Sequence, residues 1–146
     1  MTAATSRIWL PEVTLEHLRQ YSQDTLMTHL GIELVEMGDD FLSASMTVDN
    51  RTCQPMRLLH GGASVVLAET LGSLAANAVV DSQRYACVGQ EINANHLRPV
   101  TFGRTVLGIT KPFHIGARSH VWGIEIFDDR KQLICVSRIT MAVINR

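Results

Sequence analysis

No stretch of this chain restricts its fold as much as Leu58 to Val80, LLHGGASVVLAETLGSLAANAVV. It is apolar almost throughout, opens on His60-Gly61-Gly62 and is interrupted by one acid, Glu69. Its length raises the question of a membrane span. Glu69 would then sit near the bilayer centre, at a cost of about 2.5–3.5 kcal/mol. His60, Asn77 and several small residues weaken a span further, and no Lys/Arg cluster flanks it. A helix that is apolar nearly all round in a soluble protein is a buried one. The rest of the chain must therefore supply a surface that covers it.

The length of 146 residues suits one domain spanning 1–146. Apolar residues make up 46% and charged residues 18%, which is ordinary globular composition. The net charge of −1 gives no electrostatic footprint for nucleic acid. The cysteines, Cys53, Cys87 and Cys135, are odd in number and far apart. With no CxxC, reduced thiols in a cytoplasmic protein are the expectation, not a disulfide framework or a zinc site. Residues 1–13 lack a signal-peptide core and read as a loose N-terminal segment.

Thr14 is placed to cap a helix over TLEHLRQYS, and Asp24 to cap a second, DTLMTHL, that ends at Gly31. Ile32 to Met37 and Phe41 to Val48 flank Gly38-Asp39-Asp40 as a hairpin. The second of these strands alternates Leu42, Ala44, Met46 and Val48 against Phe41, Ser43, Ser45 and Thr47. A polar loop, 49–57, leads into the long helix. Strands follow over Arg84–Asn95, Gly103–Phe113, Ser119–Phe127 and Leu133–Ile144, with Val88-Gly89 marking a bulge or a close approach by a ligand. Strands joined by short turns imply an antiparallel sheet, and the long helix must bury against it.

On a helical wheel Leu67, Leu71, Leu74 and Ala78 share one side, the natural sheet-facing side. Glu69 shares the other with Gly62, Val65, Gly72, Ser73 and Ala76, a narrow face open to a second backbone or a slender ligand. Ser73, four residues on, places a hydroxyl beside the carboxylate. At the other end, the first helical N–H groups lack partners and carry the positive dipole end, and Gly61-Gly62 lets an oxygen approach them. Such an end suits a carbonyl oxygen or an anion. Gly61 and Glu69 are separated by about 12 Å of helix, too far to touch one reacting carbonyl. If both act on one substrate, they come from two copies of the chain, so a dimer with sites at its interface is expected. A buried acid is also a functional candidate on general grounds. Gln54 could steer a carbonyl or a water.

The remaining candidates are weaker. His17 and His29 read as surface or packing residues, and His114 and His120 are ambiguous. No HxxxH or HExxH occurs, so no metal is expected. His96 and Arg98, with Lys111 and Arg118, could gather round phosphates, or each could be solvated surface charge.

QPMRLLHGGASVVLAETLGS, VGQEINANHLRPV and KPFHIGAR together resemble the hotdog-fold thioesterases across about Leu15 to Ile144. The likeness is to the bacterial aryl/acyl-CoA group that includes 1,4-dihydroxy-2-naphthoyl-CoA hydrolase and the enterobactin proofreading thioesterase. That resemblance implies an α+β fold, an antiparallel sheet wrapped around one long central helix, in dimers that pair into tetramers. It implies an acyl-CoA or acyl-carrier-protein thioester as substrate and no cofactor. It assigns Glu69 as nucleophile or general base, Gly61 as the N–H that polarises the carbonyl, Gln54 and His60 as orienting groups and Ser73 as a helper hydroxyl. His96, Arg98 and Arg118 take the CoA moiety. Asn77 and Met56-Arg57 depart from the usual pattern and leave the acyl group open, between aryl-CoA of menaquinone biosynthesis, aryl carrier protein and medium-chain acyl-CoA. Two other readings share the fold: a hydratase using His60 and Glu69 as acid and base, and an acyl-CoA-binding regulator without chemistry.

Overall fold

The computed structural model describes residues 7–146. Two short helices, α1 (Leu15–Tyr21) and α2 (Leu26–Leu30), precede a hairpin of β1 (Ile32–Met37) and β2 (Leu42–Thr47). The long helix α3 (Gly61–Asn77) follows, and then β3 (Tyr85–His96), β4 (Thr105–Ile115), β5 (Ser119–Asp128) and β6 (Leu133–Asn145). The strands form one antiparallel sheet in the order β1-β2-β4-β5-β6-β3. This is the expected sheet wrapped round a central helix. No helix among the described residues is long and apolar enough to cross a membrane.

Alternation builds the inner face. Leu42, Ala44 and Met46 of β2, Trp122, Ile124 and Ile126 of β5, and Ile139 and Met141 of β6 are all buried. They meet Leu67, Ala68, Leu71, Ala75 and Ala76 of α3. At roughly 25 cal/mol per Å² of apolar surface, such a contact is the main source of stability in a chain of this size.

α3 is shorter than the apolar run. Leu58 and Leu59 are drawn into isolated bridges with Thr101 and Cys53, and Ala78 is the C-cap. Its orientation also differs from the wheel. Gly72 and Ala76 are buried on the sheet side, where a methyl group on Gly72 would lie 2.4 Å from Ile139 Cγ2. Leu74 is only half-buried and turns away from the sheet. A glycine at 72 lets Ile139 press against the helix backbone, so the sheet follows the small residues as well as the leucines.

Three smaller expectations change. Of the segment expected to be loose, residues 1–6 lie outside the described residues, while residues 7–13 pack firmly. Trp9 is 4% exposed, stacks on Trp122 with ring centroids 6.1 Å apart, and donates from Nε1 to Gly38 O at 2.6 Å. Leu10 N–H donates to Ala78 O at 3.0 Å, tying the segment to the end of α3. Thr14 caps α1 as expected, but α2 is capped by Thr25 in a capping box with Thr28, and Asp24 takes a left-handed φ of 57°. The strand expected over Gly103–Phe113 is β4, Thr105–Ile115, which runs through Pro112 and a bulge before His114 and past the expected end. The bulge expected near Gly89 is present, between Gly89 and Glu91.

His120, ambiguous in the sequence, is a core residue at 1% exposure, with Trp122 and Cys87 beside it. Burial pushes its pKa below the ordinary value, helped by the nearby His114 and opposed by a hydrogen bond to the Gly116 backbone. Below a pH of about 6.5 the unfolded chain gains a proton that folded His120 resists. Stability is therefore expected to fall as pH drops through that value towards the folded pKa. Denaturant melts of the wild type and His120→Gln from pH 7.5 to 5 check this; the variant loses that part of the slope.

Candidate active site

α3 and β3 run side by side in opposite directions, and three contacts along them arrange the candidate residues. At the start of α3, a methyl group on Gly61 would lie 2.9 Å from His96 Nε2. Midway, a methyl group on Gly89 would lie 2.5 Å from Glu69 Oε1. At the end, Asn77 is hydrogen-bonded to both N–H and C=O of Cys87 at 2.9 Å. Each close approach depends on the absence of a side chain at a glycine.

The first contact belongs to a cleft of about 340 Å³ lined by Gln54, Gly61, Ser64, His96, Arg98 and Ile134 among others. Four expected residues, Gln54, Gly61, His96 and Arg98, therefore meet here. Gly61 N–H, one residue into the helix, has no acceptor among the described residues and carries the positive end of the helix dipole. Gln54 Oε1 accepts from Met56 N–H, which leaves the amide NH2 as the free donor. Arg98 is steadied by donating to Leu133 O at 2.6 Å. Phe102 and Arg57 close the loop behind Gln54: the Arg57 guanidinium lies 3.7 Å from the Phe102 ring centroid, and Phe102 N–H donates to Arg57 O.

His60 has a role that sequence reading missed. It is the N-cap of α3, and its Nδ1 accepts from Gly62 N–H at 2.8 Å. The tautomer that accepts this bond carries its hydrogen on Nε2, so the ring presents one outward donor. The dipeptide before Gly62 thus caps the helix and leaves the Gly61 N–H unused.

Glu69 does not line the cleft with Gly61, in line with the length of helix between them. It is half-buried on the side of α3 away from the core, and Ser73 Oγ donates to its Oε1 at 3.4 Å. Below it, Ser73, Leu74, Asn77 and Cys87 border a second cavity of about 460 Å³, closed by Leu10, Val13 and Leu18. Asn77 itself is fully engaged: its Nδ2 donates to Ser73 O and Cys87 O, and its Oδ1 accepts from Cys87 N–H. The sequence marks Asn77 only as a departure from the usual pattern and not as a clasp, because its partner Cys87 is brought in by tertiary packing.

Two basic candidates lie elsewhere. Arg118 precedes β5, where Ser119 is level with Ala142, whereas His96 is level with Cys135. Along β6 those levels are about 23 Å apart at 3.3 Å per residue. Lys111 lies beyond the sheet's core, paired with Asp40 at 3.6 Å. One chain therefore divides the candidates between two ends: Gln54, His60, Gly61, His96 and Arg98 at one, and Glu69, Ser73 and Arg118 towards the other. Among the described residues no cluster of three His, Cys, Asp or Glu side chains is arranged to hold a metal ion.

Comparison with known proteins gives a consistent picture. Residues 56–135 match the thioesterase superfamily. The 1,4-dihydroxy-2-naphthoyl-CoA hydrolase of Escherichia coli is 48% identical over 94% of this chain and 99% of its own length. The proofreading thioesterase EntH of Cronobacter turicensis is 49% identical over 93% of this chain and 98% of its own. The crystal structure of a mutant thioesterase from Pseudomonas aeruginosa superposes with a TM-score of 0.91 at 43% identity, covering 95% of this chain and 99% of that one. A Staphylococcus aureus protein, solved as a glutamate-to-alanine mutant, superposes at 0.79 with 35% identity over 83% of this chain and 99% of its own, and it is also known as a glutamine-to-alanine mutant.

The capping role of His60 is open to a direct check. His60→Ala removes an acceptor at the N-cap and is expected to cost about 0.5–2 kcal/mol of stability. His60→Asn keeps an acceptor and should recover most of it in thermal melts.

Proposed function

The chain belongs to the thioesterase superfamily, and from that premise we propose that it hydrolyses its thioester at sites shared between two copies of the chain. The activity itself, hydrolysis of acyl-CoA thioesters, follows from relatives that match nearly the whole chain at close to half identity. The observation that carries the shared site is the division of the candidate residues between the start and the middle of α3, and between opposite ends of the sheet. Alone, Gly61 lacks a carboxylate and Glu69 lacks an oxyanion donor.

β3 supports this reading. It is an edge strand, hydrogen-bonded to β6 on one side only, and a long open edge is a template for pairing. Asn77 occupies that edge at Cys87, which leaves the stretch from Gly89 onward. Two β3 strands paired antiparallel about a centre near Ile92 would set Gly89 opposite His96 of the partner subunit. Because Gly89 adjoins Glu69 and His96 adjoins Gly61, that two-fold brings each carboxylate towards the other copy's helix start. It also carries Arg118 towards the end that holds His96 and Arg98, where the CoA phosphates would be bound.

In the complete site, Gly61 N–H and the Gln54 amide donate to the thioester carbonyl oxygen, and His60 Nε2–H orients it. Glu69 acts either as the nucleophile or as the base that takes a proton from an attacking water. In the second case the water oxygen bonds to the carbonyl carbon, the C–S bond breaks, and the thiolate leaves with a proton. The spacing of Gln54 and Glu69 supports their pairing: they stand fifteen positions apart, as do the mutated glutamine and glutamate of the Staphylococcus aureus protein. The cavity bordered by Ser73, Leu74 and Leu10 takes the acyl group. An aryl-CoA of menaquinone biosynthesis is the substrate we favour, from the E. coli relative; an aryl group on a carrier protein is the alternative, from the relative named as a proofreading enzyme. A single domain acting as a cytoplasmic homotetramer, built as a pair of these dimers, completes the proposal.

Two measurements test it. Glu69→Gln and Gln54→Ala should each lose about 10²–10³ in kcat while remaining dimeric. Mixed dimers of the two variants contain one site with both changes and one with neither. Unfolding and refolding the two together should restore roughly a quarter of wild-type turnover if subunits combine at random. No recovery on mixing would rule out shared sites.

A further inference from the structure

We infer that Gly89, set in place by the Asn77 clasp, is a positioning residue for Glu69: it fixes Oε1 as the anchored oxygen of the carboxylate and leaves Oε2 as the reacting one. The inference rests on the reading of Glu69 as the catalytic carboxylate.

The two oxygens of Glu69 have different surroundings. From the position a methyl group on Gly89 would occupy, Oε1 is 2.5 Å away, the carboxylate carbon 3.4 Å and Oε2 3.6 Å. Oε1 is thus pressed against the bare backbone of β3. The same Oε1 accepts from Ser73 Oγ at 3.4 Å. Oε1 therefore sits between a hydroxyl on its own helix and the glycine of the neighbouring strand. Oε2 has no hydrogen-bond donor among the described residues, so it is the oxygen free to meet substrate or water. A carboxylate on a three-bond stem swings freely unless one oxygen is held, and freedom at a reacting group lowers the fraction of productive encounters.

The position of Gly89 is itself held. Asn77 bonds to Ser73 O within α3 and to both polar groups of Cys87 on β3, two residues before Gly89. That clasp fixes how far along α3 the strand lies. Ser73, the residue that anchors Oε1, is also the residue whose carbonyl Asn77 holds. The bulge between Gly89 and Glu91 interrupts the ladder with β6 directly after the strand passes the carboxylate, and β3 continues along α3 to His96 beside Gly61. One asparagine thereby ties the hydroxyl donor and the glycine wall to each other, with the carboxylate between them.

Gly89→Ala tests the assignment. The added methyl meets the end of a flexible side chain and not backbone, so the fold accommodates it by moving the carboxylate. The expected result is a fall in kcat of about 10- to 100-fold with KM changed by less than about twofold and an unchanged melting temperature. Gly108→Ala is the control: its methyl would meet Leu71 and Leu67 in the core, so it lowers the melting temperature without that kcat-only signature. If Gly89→Ala does not give folded protein, Asn77→Ala decides instead, with a kcat-selective loss expected from a loosened strand. Wild-type kcat in the folded Gly89→Ala protein, or in Asn77→Ala where that variant decides, overturns the inference provided Glu69→Gln is inactive. An active Glu69→Gln overturns the reading of Glu69 itself.

Discussion

The structure depends on the burial of α3 in the sheet. An apolar helix of 17 residues has no stable place in water, and among the described residues the six strands supply the surface that covers it. Everything functional follows from how that burial is arranged. The buried side of α3, from Ser64 through Leu67, Ala68, Leu71 and Gly72 to Ala75 and Ala76, is spent on the core. The opposite side carries Glu69 and Ser73, half-covered and clear of the core. A carboxylate on the inner side would have faced Ile139 and Trp122, with the several-kcal/mol penalty of an unpaired buried charge.

α3 also separates two chemistries by its own length. Its N-terminus offers the unpaired Gly61 N–H and a positive dipole end, suited to an oxygen that gains negative charge. Its middle offers a negative charge. On one helix these cannot converge on a single carbon, since the rise per residue is fixed. The proposed dimer resolves this by symmetry: its two-fold axis brings the middle of one helix to the start of another without bending either. The open edge of β3 leaves backbone groups for a partner strand, and the glycines at 61 and 89 let His96 and Glu69 of the same chain lie close to the backbone beside that edge.

Much of this was legible in the chain. Periodicity located the hairpin, the long helix and the four later strands, because alternate burial and helical burial leave different spacings of apolar residues. Glu69 and Gly61 stood out for physical reasons, as a lone acid in an apolar run and as glycine at a helix start. Other features could not be read. The first turn of the apolar run, Leu58 and Leu59, satisfies its backbone in bridges to Cys53 and Thr101, one of them distant in sequence. His60 as a cap depends on a rotamer, Asn77 as a clasp on where Cys87 arrives, and Trp9 on a stacking partner more than a hundred residues away.

The sequence alone determined that a helix would be buried by antiparallel strands, and that its carboxylate and its dipole would lie about 12 Å apart, so that one chain could not bring both to one substrate. Those are consequences of composition, periodicity and the fixed geometry of a helix. Only the tertiary structure decided which side of α3 meets the sheet. The wheel favoured the leucines; the packing buried Gly72 and Ala76 with Leu67 and Leu71, and turned Leu74 outward to a cavity. The reason is that a wheel records which residues share a face, whereas the face that is buried is set by complementary shape, here Ile139 against the bare backbone of Gly72. That choice rotates Glu69 to lie beside Gly89.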